Sequence, residues 1–460
     1  MIHLTTKYFI WLSILIVLNS CDSFVEVDLP KSQLTNTAVF EDYETANAAL
    51  VDIYAKIRDR GILTGTNTGI SNQLANYTDE ITAYGNPSNP SLPFYNNTLL
   101  PSTANVSEYW NSTYNQIYAA NAIMEGTENS KTLSADNKRQ LLGEALFIRA
   151  LSHFYLVNLF GDIPYIKETD YRKNSVVTRM SIESVYQNII ADLQESALML
   201  PENYSSPERI RPNKYTCRAL LARVYLYNKS YAEGANEASA VLNQTDLFSL
   251  GNDLDNVFLI NSKETVWQLQ SAVSGQNAQE GSVFVFTVGP PSLVALNTDL
   301  VNSFSSTDLR KANWMKSVTD GTTVWYHSNK YKEQNNTAVS KEYSILFRLA
   351  EQYLIRAEAR ARQGDLIGAK EDLNKIRQRA GLDNTTALTQ TEILDAVLQE
   401  RRWELFTEQG HRFFDLKRFE KLNTVLSLIK TGWNATDSLF PIPQNELSTN
   451  PNLRPQNPGY

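Results

Sequence analysis

The chain is short of the side chains that most metal binding and nucleophilic catalysis use. It has two cysteines and four histidines in 460 residues. Cys21 and Cys217 stand far apart, and no CxxC or paired Cys/His spacing occurs, so a zinc centre has no ligand set. HExxH, GxSxG and a glycine-rich phosphate loop are absent. "NDLDN" (252–256) lacks the later Gly and Glu of a calcium loop. Nothing in the chain asks for a cofactor or a metal. Basic charge is also short: the net charge is -8, against the basic patch that nucleic acid requires. Apolar runs are short too. The run Tyr8 to Leu18, broken only by Ser13, falls below the ~20 residues of a membrane-spanning helix.

That run follows Lys7 and ends at Leu18-Asn19-Ser20-Cys21. A positive start, a short apolar core and small residues before a cut describe an export signal. The last four residues resemble a bacterial lipobox, in which the cysteine is lipidated and becomes the first residue of the mature protein. The alternative is an ordinary signal peptide with an incidental cysteine. Acyl chains contribute ~0.8 kcal/mol per buried methylene, enough to hold a domain at a membrane without a spanning helix. The expected division is a signal peptide over 1–20, a lipidated tether over 21–38 and one domain over 39–460. Cys217 then has no partner and is expected to be a small core residue.

Helical periodicity dominates what remains. Phe40 to Asp59 places Ala46, Ala49, Leu50, Ile53, Tyr54 and Ile57 on one face. Glu108 to Met124 and Leu133 to Phe160 follow. The latter stops at Gly161, with Pro164 just beyond. Ser181 can cap a helix running to Leu200. Tyr353 to Leu382 reads as a helix hairpin whose "QGDLIGA" turn resembles a tetratricopeptide repeat, with Ala357, Ala361, Gly364 and Ala369 at the close approach. Cys217 to Leu242 is a weaker copy, with Gly234 and Ala235 at its crossing. Two segments read as strands, Glu264 to Gln270 and Ser282 to Pro291. Two long irregular stretches, 61–106 and 251–341, carry aromatics and are expected to be ordered and functional.

Four ordered blocks carry a family resemblance. They are "AVFEDYETANAALVDIYAKIRD" (38–59), "GEALFIRALSHFYLVNLFGDIPYI" (143–166), "ERRWELFTEQGHRFFDLKRF" (400–419) and the tail "LFPIPQNELSTNPNLRPQNPGY" (439–460). Together with the lipobox they resemble the SusD/RagB family of outer-membrane nutrient-binding lipoproteins of Bacteroidetes. The resemblance implies a mainly α fold, a scaffold of tetratricopeptide-like helix pairs with long inserted loops and a few short strands. It implies a loop-rich face that binds glycan, a location on the outside of the outer membrane, and a SusC-like TonB-dependent transporter as partner. The tail is implied to pack back on the domain. The 400–419 block reads as architecture, since its charges lie at spacings that favour helical ion pairs.

Glycan recognition stacks sugar C–H faces on aromatic rings and gives the hydroxyls to planar polar groups. Two loop regions supply both. Tyr84, Tyr95, Trp110, Trp325 and Tyr326 are the expected stacking rings, and Asp79 and Asn96 the polar partners. Core packing is the competing role for each ring. Trp314 is expected to support the site rather than line it. Two other classes stay open on sequence. A helical array of this kind can bind peptide, and a glycoside hydrolase needs only two carboxylates.

Overall fold

The computed structural model describes residues 36–460, so the export signal and Cys21 lie outside the described residues. Asp42 caps α1 (Tyr43–Asp59), its carboxylate accepting from the Glu44 and Thr45 amides at 3.1 and 3.3 Å. Those amides belong to the first turn, which has no helical acceptors of its own. α2 (Ile70–Tyr77) follows, then two 26-residue helices, α3 (Ala104–Asn129) and α4 (Ala135–Phe160). Gly161 ends α4 at φ 76°, a conformation only glycine adopts without strain. Ser181 caps α5 (Ile182–Met199) as expected.

The hairpins α6 (Lys214–Tyr227) with α7 (Tyr231–Leu242) and α8 (Leu349–Arg362) with α9 (Leu366–Arg379) form as the sequence predicts. Ala357, Ala361 and Ala369 are buried in one apolar cluster, and Gly234 meets the α6 backbone at the crossing. Gly364 has a different role from the expected one. It sits in the turn at φ 86°, with no atom near the place of a Cβ, so it supplies a left-handed bend rather than a close approach. Helix packs on helix along the chain: α3 on α4, α4 on α5, α5 on α6, α6 on α7, α7 on α8 and α8 on α9. α10 (Gln390–Leu405) lies against α8 and α9, and α11 (His411–Arg418) turns back onto α2.

Among the described residues, six strands make three antiparallel pairs. β1 (Ile81–Ala83) pairs with β3 (Val294–Leu296), β2 (Thr265–Leu269) with β6 (Ser344–Arg348), and β4 (Met315–Thr319) with β5 (Val324–Ser328). β2 is the strand expected over 264–270. The expected strand over 282–291 is not formed. Gln279–Phe284 is a short helix instead, and the chain then runs irregularly through Pro290 and Pro291. An apolar run without alternation does not distinguish the two states. Here Gly281 lies against the Glu333 carbonyl, and the Gln334 side chain, not a strand, satisfies the Val285 carbonyl.

Two main cores result. One joins the helical array to β2, β6 and the C-terminal tail. The other gathers Leu254, Val283, Leu300, Trp314, Met315 and Phe406 beneath the loop-rich half. The tail packs back as the resemblance implies: the Phe440 amide donates to the Leu159 carbonyl at 2.8 Å, and Asn457 bridges the Phe160 and Phe440 carbonyls. Cys217 is fully buried, 3.1 Å from the Ser196 hydroxyl, and burial pushes its thiol up to about 12.

The 400–419 block is architecture: Asp415 pairs with Arg418 one turn along α11 at 2.9 Å, while the glutamates reach partners on other elements. Glu404 binds Arg310 at 3.1 Å, Arg348 at 2.5 Å, and Arg379. Glu400 takes Arg310 at 2.7 Å and Arg377 at 3.1 Å. Glu408 takes Arg348 at 2.8 Å and Lys330 at 2.5 Å. Burial pushes the Glu404 carboxyl up, and Arg379, Arg348 and Arg310 together hold it well below the carboxylate range.

Candidate functional site

The β4–β5 hairpin positions the strongest candidate. Its register pairs Lys316 with His327, Ser317 with Tyr326 and Val318 with Trp325. Side chains alternate across a strand, so Trp325 and Tyr326 point to opposite faces. Tyr326 goes inward, packed on the core beside Met315. Trp325 goes to the other face with Val318, Lys316 and His327. Its six-membered ring lies against Gly289, close enough that a Cβ there would collide with the indole. The ring is left half-buried.

Beside it runs a groove of about 810 Å3 between β4 and the segment Val285–Thr287. Phe286 and His327 form its aromatic part, with ring centroids 5.2 Å apart. Asn313, Asn329, Gln334 and Asn335 give it planar amides, and Lys316, Lys332, Asp255 and Glu333 its charge. The His327 Nδ1 lies 2.9 Å from the Ser328 carbonyl, so Nδ1 carries the proton and Nε2 remains an acceptor. Burial first, and then the Lys316 ammonium, lower the proton affinity of this imidazole and keep it neutral.

The other sequence-predicted residues divide. Tyr84 is half-buried just after β1, and its amide donates to the Leu293 carbonyl at 2.7 Å. It therefore flanks the same 285–293 segment that carries Gly289 under Trp325. Tyr95 and Asn96 sit elsewhere, against Lys430–Trp433. The Lys430 ammonium stands 3.9 Å from the Tyr95 ring and donates to the Asn76 and Tyr95 carbonyls. Asn96 is exposed, with its carbonyl against Gly432.

Two expectations are corrected. Trp110 is 3% exposed, its ring packed between Tyr114 and Phe160, so it has no face for a sugar. Asp79 is 5% exposed and clamped by Arg412 through two hydrogen bonds of 2.8 and 2.7 Å, with Arg402 at 2.8 Å. Residue type alone suggests both as binding groups, but helices distant in sequence bury them. Trp314, which directly precedes β4, is fully buried, its indole N–H donating to the Leu254 carbonyl at 3.0 Å.

The neighbouring acids Asp79 and Glu80 show the contrast that acid–base catalysis uses. Burial raises the Asp79 carboxyl, but Arg412 and then Arg402 hold it low. Burial and the Asp79 charge push Glu80 up to about 8. Glu80 is 2% exposed, however, and neither acid lines the groove. Among the described residues no cluster of His, Cys, Asp or Glu is grouped to hold a metal, and no helix is long and apolar enough to cross a membrane.

Sequence reasoning missed Lys316, Asn313, Asn329 and Gln334. The signal was available: Asp320-Gly321 between two runs of strand-forming residues is a hairpin turn. Recognising it pairs Lys316 with His327.

This arrangement, loops and a hairpin mounted on paired helices, has known counterparts. Residues 32–226 match a family model described as starch-binding associating with outer membrane, and residues 263–438 match that of the SusD family. The chain belongs to the SusD/RagB family. It is 25% identical to SusD-like protein P25 of Formosa agariphila, over 94% of this chain and 95% of the relative. Its fold is similar to that of a SusD superfamily protein of Bacteroides vulgatus, with TM-score 0.80 and 22% identity over 91% of this chain and 99% of the other. A laminarin-binding SusD-like protein gives TM-score 0.77 and 25% identity, with the same coverage.

Proposed function

We propose that the protein is a surface lipoprotein that captures oligosaccharide or polysaccharide and hands it to a SusC-like TonB-dependent transporter, without cleaving it. Residues 21–38 would be the tether and the rest one glycan-binding domain. The observation that carries the binding role is the outward face of the β4–β5 hairpin. Trp325 offers a half-exposed ring there beside an amide-lined groove. Flat apolar surface next to planar donors and acceptors is what a sugar chain requires. Family membership and the laminarin-binding neighbour support the ligand class.

Titration calorimetry of the purified protein against a panel of oligosaccharides tests it. Trp325→Ala is expected to weaken binding roughly tenfold to a hundredfold, the range of one lost stacking contact of ~1.5–3 kcal/mol. Full affinity in Trp325→Ala would remove the hairpin from the site. The anchor and the partner are read in one further experiment. Tagged protein pulled from detergent-solubilised outer membranes is expected to bring a TonB-dependent barrel with it, whereas Cys21→Ala is expected in the soluble fraction. A wild type that comes down without a transporter sinks delivery, and membrane-bound Cys21→Ala sinks the lipid anchor.

A further inference from the structure

The groove's charges are unevenly matched. Lys332 is paired with Asp255, and Glu333 with Lys341 at 2.5 Å. Lys316 is exposed and, among the described residues, makes no ion pair. Its cross-strand partner His327 is buried and neutral, with Nδ1 engaged on Ser328, so it adds no charge to this face. Among the described charged residues that line the groove, Lys316 is therefore the one without an ion-pair partner.

Its position relative to Trp325 matters. Lys316 and Trp325 are diagonal neighbours on the same face of an antiparallel pair, a relation that separates backbones by about 7–8 Å and brings long side chains within mutual reach. A pyranose lying on the indole carries its exocyclic groups beyond the ring edge, and the flexible four-carbon lysine stem spans the remaining distance to them. A carboxylate or sulfate ester on that sugar would meet the ammonium, while its neighbouring hydroxyls meet the groove amides. The chain as a whole is acidic, so an anionic ligand is repelled at a distance. A local unmatched cation is what reverses that repulsion at the site.

Resting on the glycan-binding reading, we infer that the hairpin groove selects acidic glycans, with Lys316 as the specificity-determining residue for a uronate carboxylate or a sulfate ester. Neutral sugars would use the ring and the amides alone. Acidic sugars add one charge-assisted hydrogen bond.

The test uses two matched pairs of probes on the full-length protein. One pair is an oligogalacturonate and its carboxyl-reduced form. The other is a sulfated galactan oligosaccharide and its desulfated form. Wild type is expected to bind the charged member of at least one pair about tenfold tighter at low salt, the size of one hydrogen bond to a charged group. That advantage should shrink as salt is raised, because the ammonium is exposed. Lys316→Gln, a surface change that leaves the fold intact by circular dichroism, should bring the charged-to-neutral ratio to about one. The pair that shows the ratio identifies the anion. Equal affinity within both pairs overturns the inference, and so does a ratio that survives Lys316→Gln; in either case the glycan-binding reading stands. Failure to bind any of the four probes overturns both.

Discussion

Asp79 and Glu80 are adjacent carboxylic acids, both buried, yet the protein ionises one and protonates the other. The difference is the partner. Asp79 receives two arginines, whereas Glu80 has only the Thr407 amide, at 3.4 Å, and one carboxyl oxygen without a partner. Burial and the Asp79 charge raise Glu80 from its ordinary value of 4.5 to about 8. Between those two pH values the folded chain keeps a proton that the unfolded chain has released. The contribution is therefore complete below pH 4.5 and is lost as pH rises through about 8. Glu80→Gln keeps the shape and removes the titration. Its melting temperature is expected to change less between pH 5 and pH 8 than that of the wild type, by calorimetry. An unchanged pH slope would mean that Glu80 is ionised in the fold. Residue identity in the sequence revealed neither state. Asp79 was legible as an acid in a loop and Trp110 as a ring near a helix start, but their burial is made by α11 and α4, which no local pattern reveals.

Elements were more legible than residues, and for a physical reason. A long amphipathic helix announces itself in every turn, so α1, α3, α4 and α5 and the two hairpins were readable from period and caps. The small side chains Ala357, Ala361 and Ala369 marked a close approach because only small groups fit one. Strands of three to five residues carry too few turns of their pattern. β2 was readable through its alternation, but its partner β6 lies far along the chain. The 282–291 run failed because apolar residues alone do not say whether a ladder partner exists. The β4–β5 hairpin was readable at its tip. Gly321 at φ 93° takes the left-handed turn, and Asp320 accepts from the Thr322 and Thr323 amides at 2.8 Å each. That turn fixes the register, and the register separates Trp325 from Tyr326. Half of the candidate site thus follows from one turn, and the rest, the Phe286 wall and the amides of 329–335, follows from tertiary contacts.

At the scale of the molecule, the family was legible because its four blocks are the joints of the structure rather than its binding surface. The 400–419 block shows why. Glu404 on α10 collects Arg310 from the loop-rich half, Arg348 from the end of β6 and Arg379 from the end of α9. It therefore ties the core beneath the hairpin to the helical array. A carboxylate in such a position is expected to couple the two halves, because removing its charge leaves three buried arginines short of an anion at once. Glu404→Gln should cost about 3–5 kcal/mol, the range for breaking a buried pair. The loss should appear on both sides of the joint. Native-state hydrogen exchange is expected to show equal drops in the opening free energy of α4 and of the β4–β5 hairpin. Both segments then open only with global unfolding. A drop confined to the hairpin would mean that the two halves unfold separately and that Glu404 serves the loop-rich half alone. The hairpin's place on the scaffold would then rest on apolar packing, and glycan affinity would fall in Glu404→Gln before the helical array lost any stability.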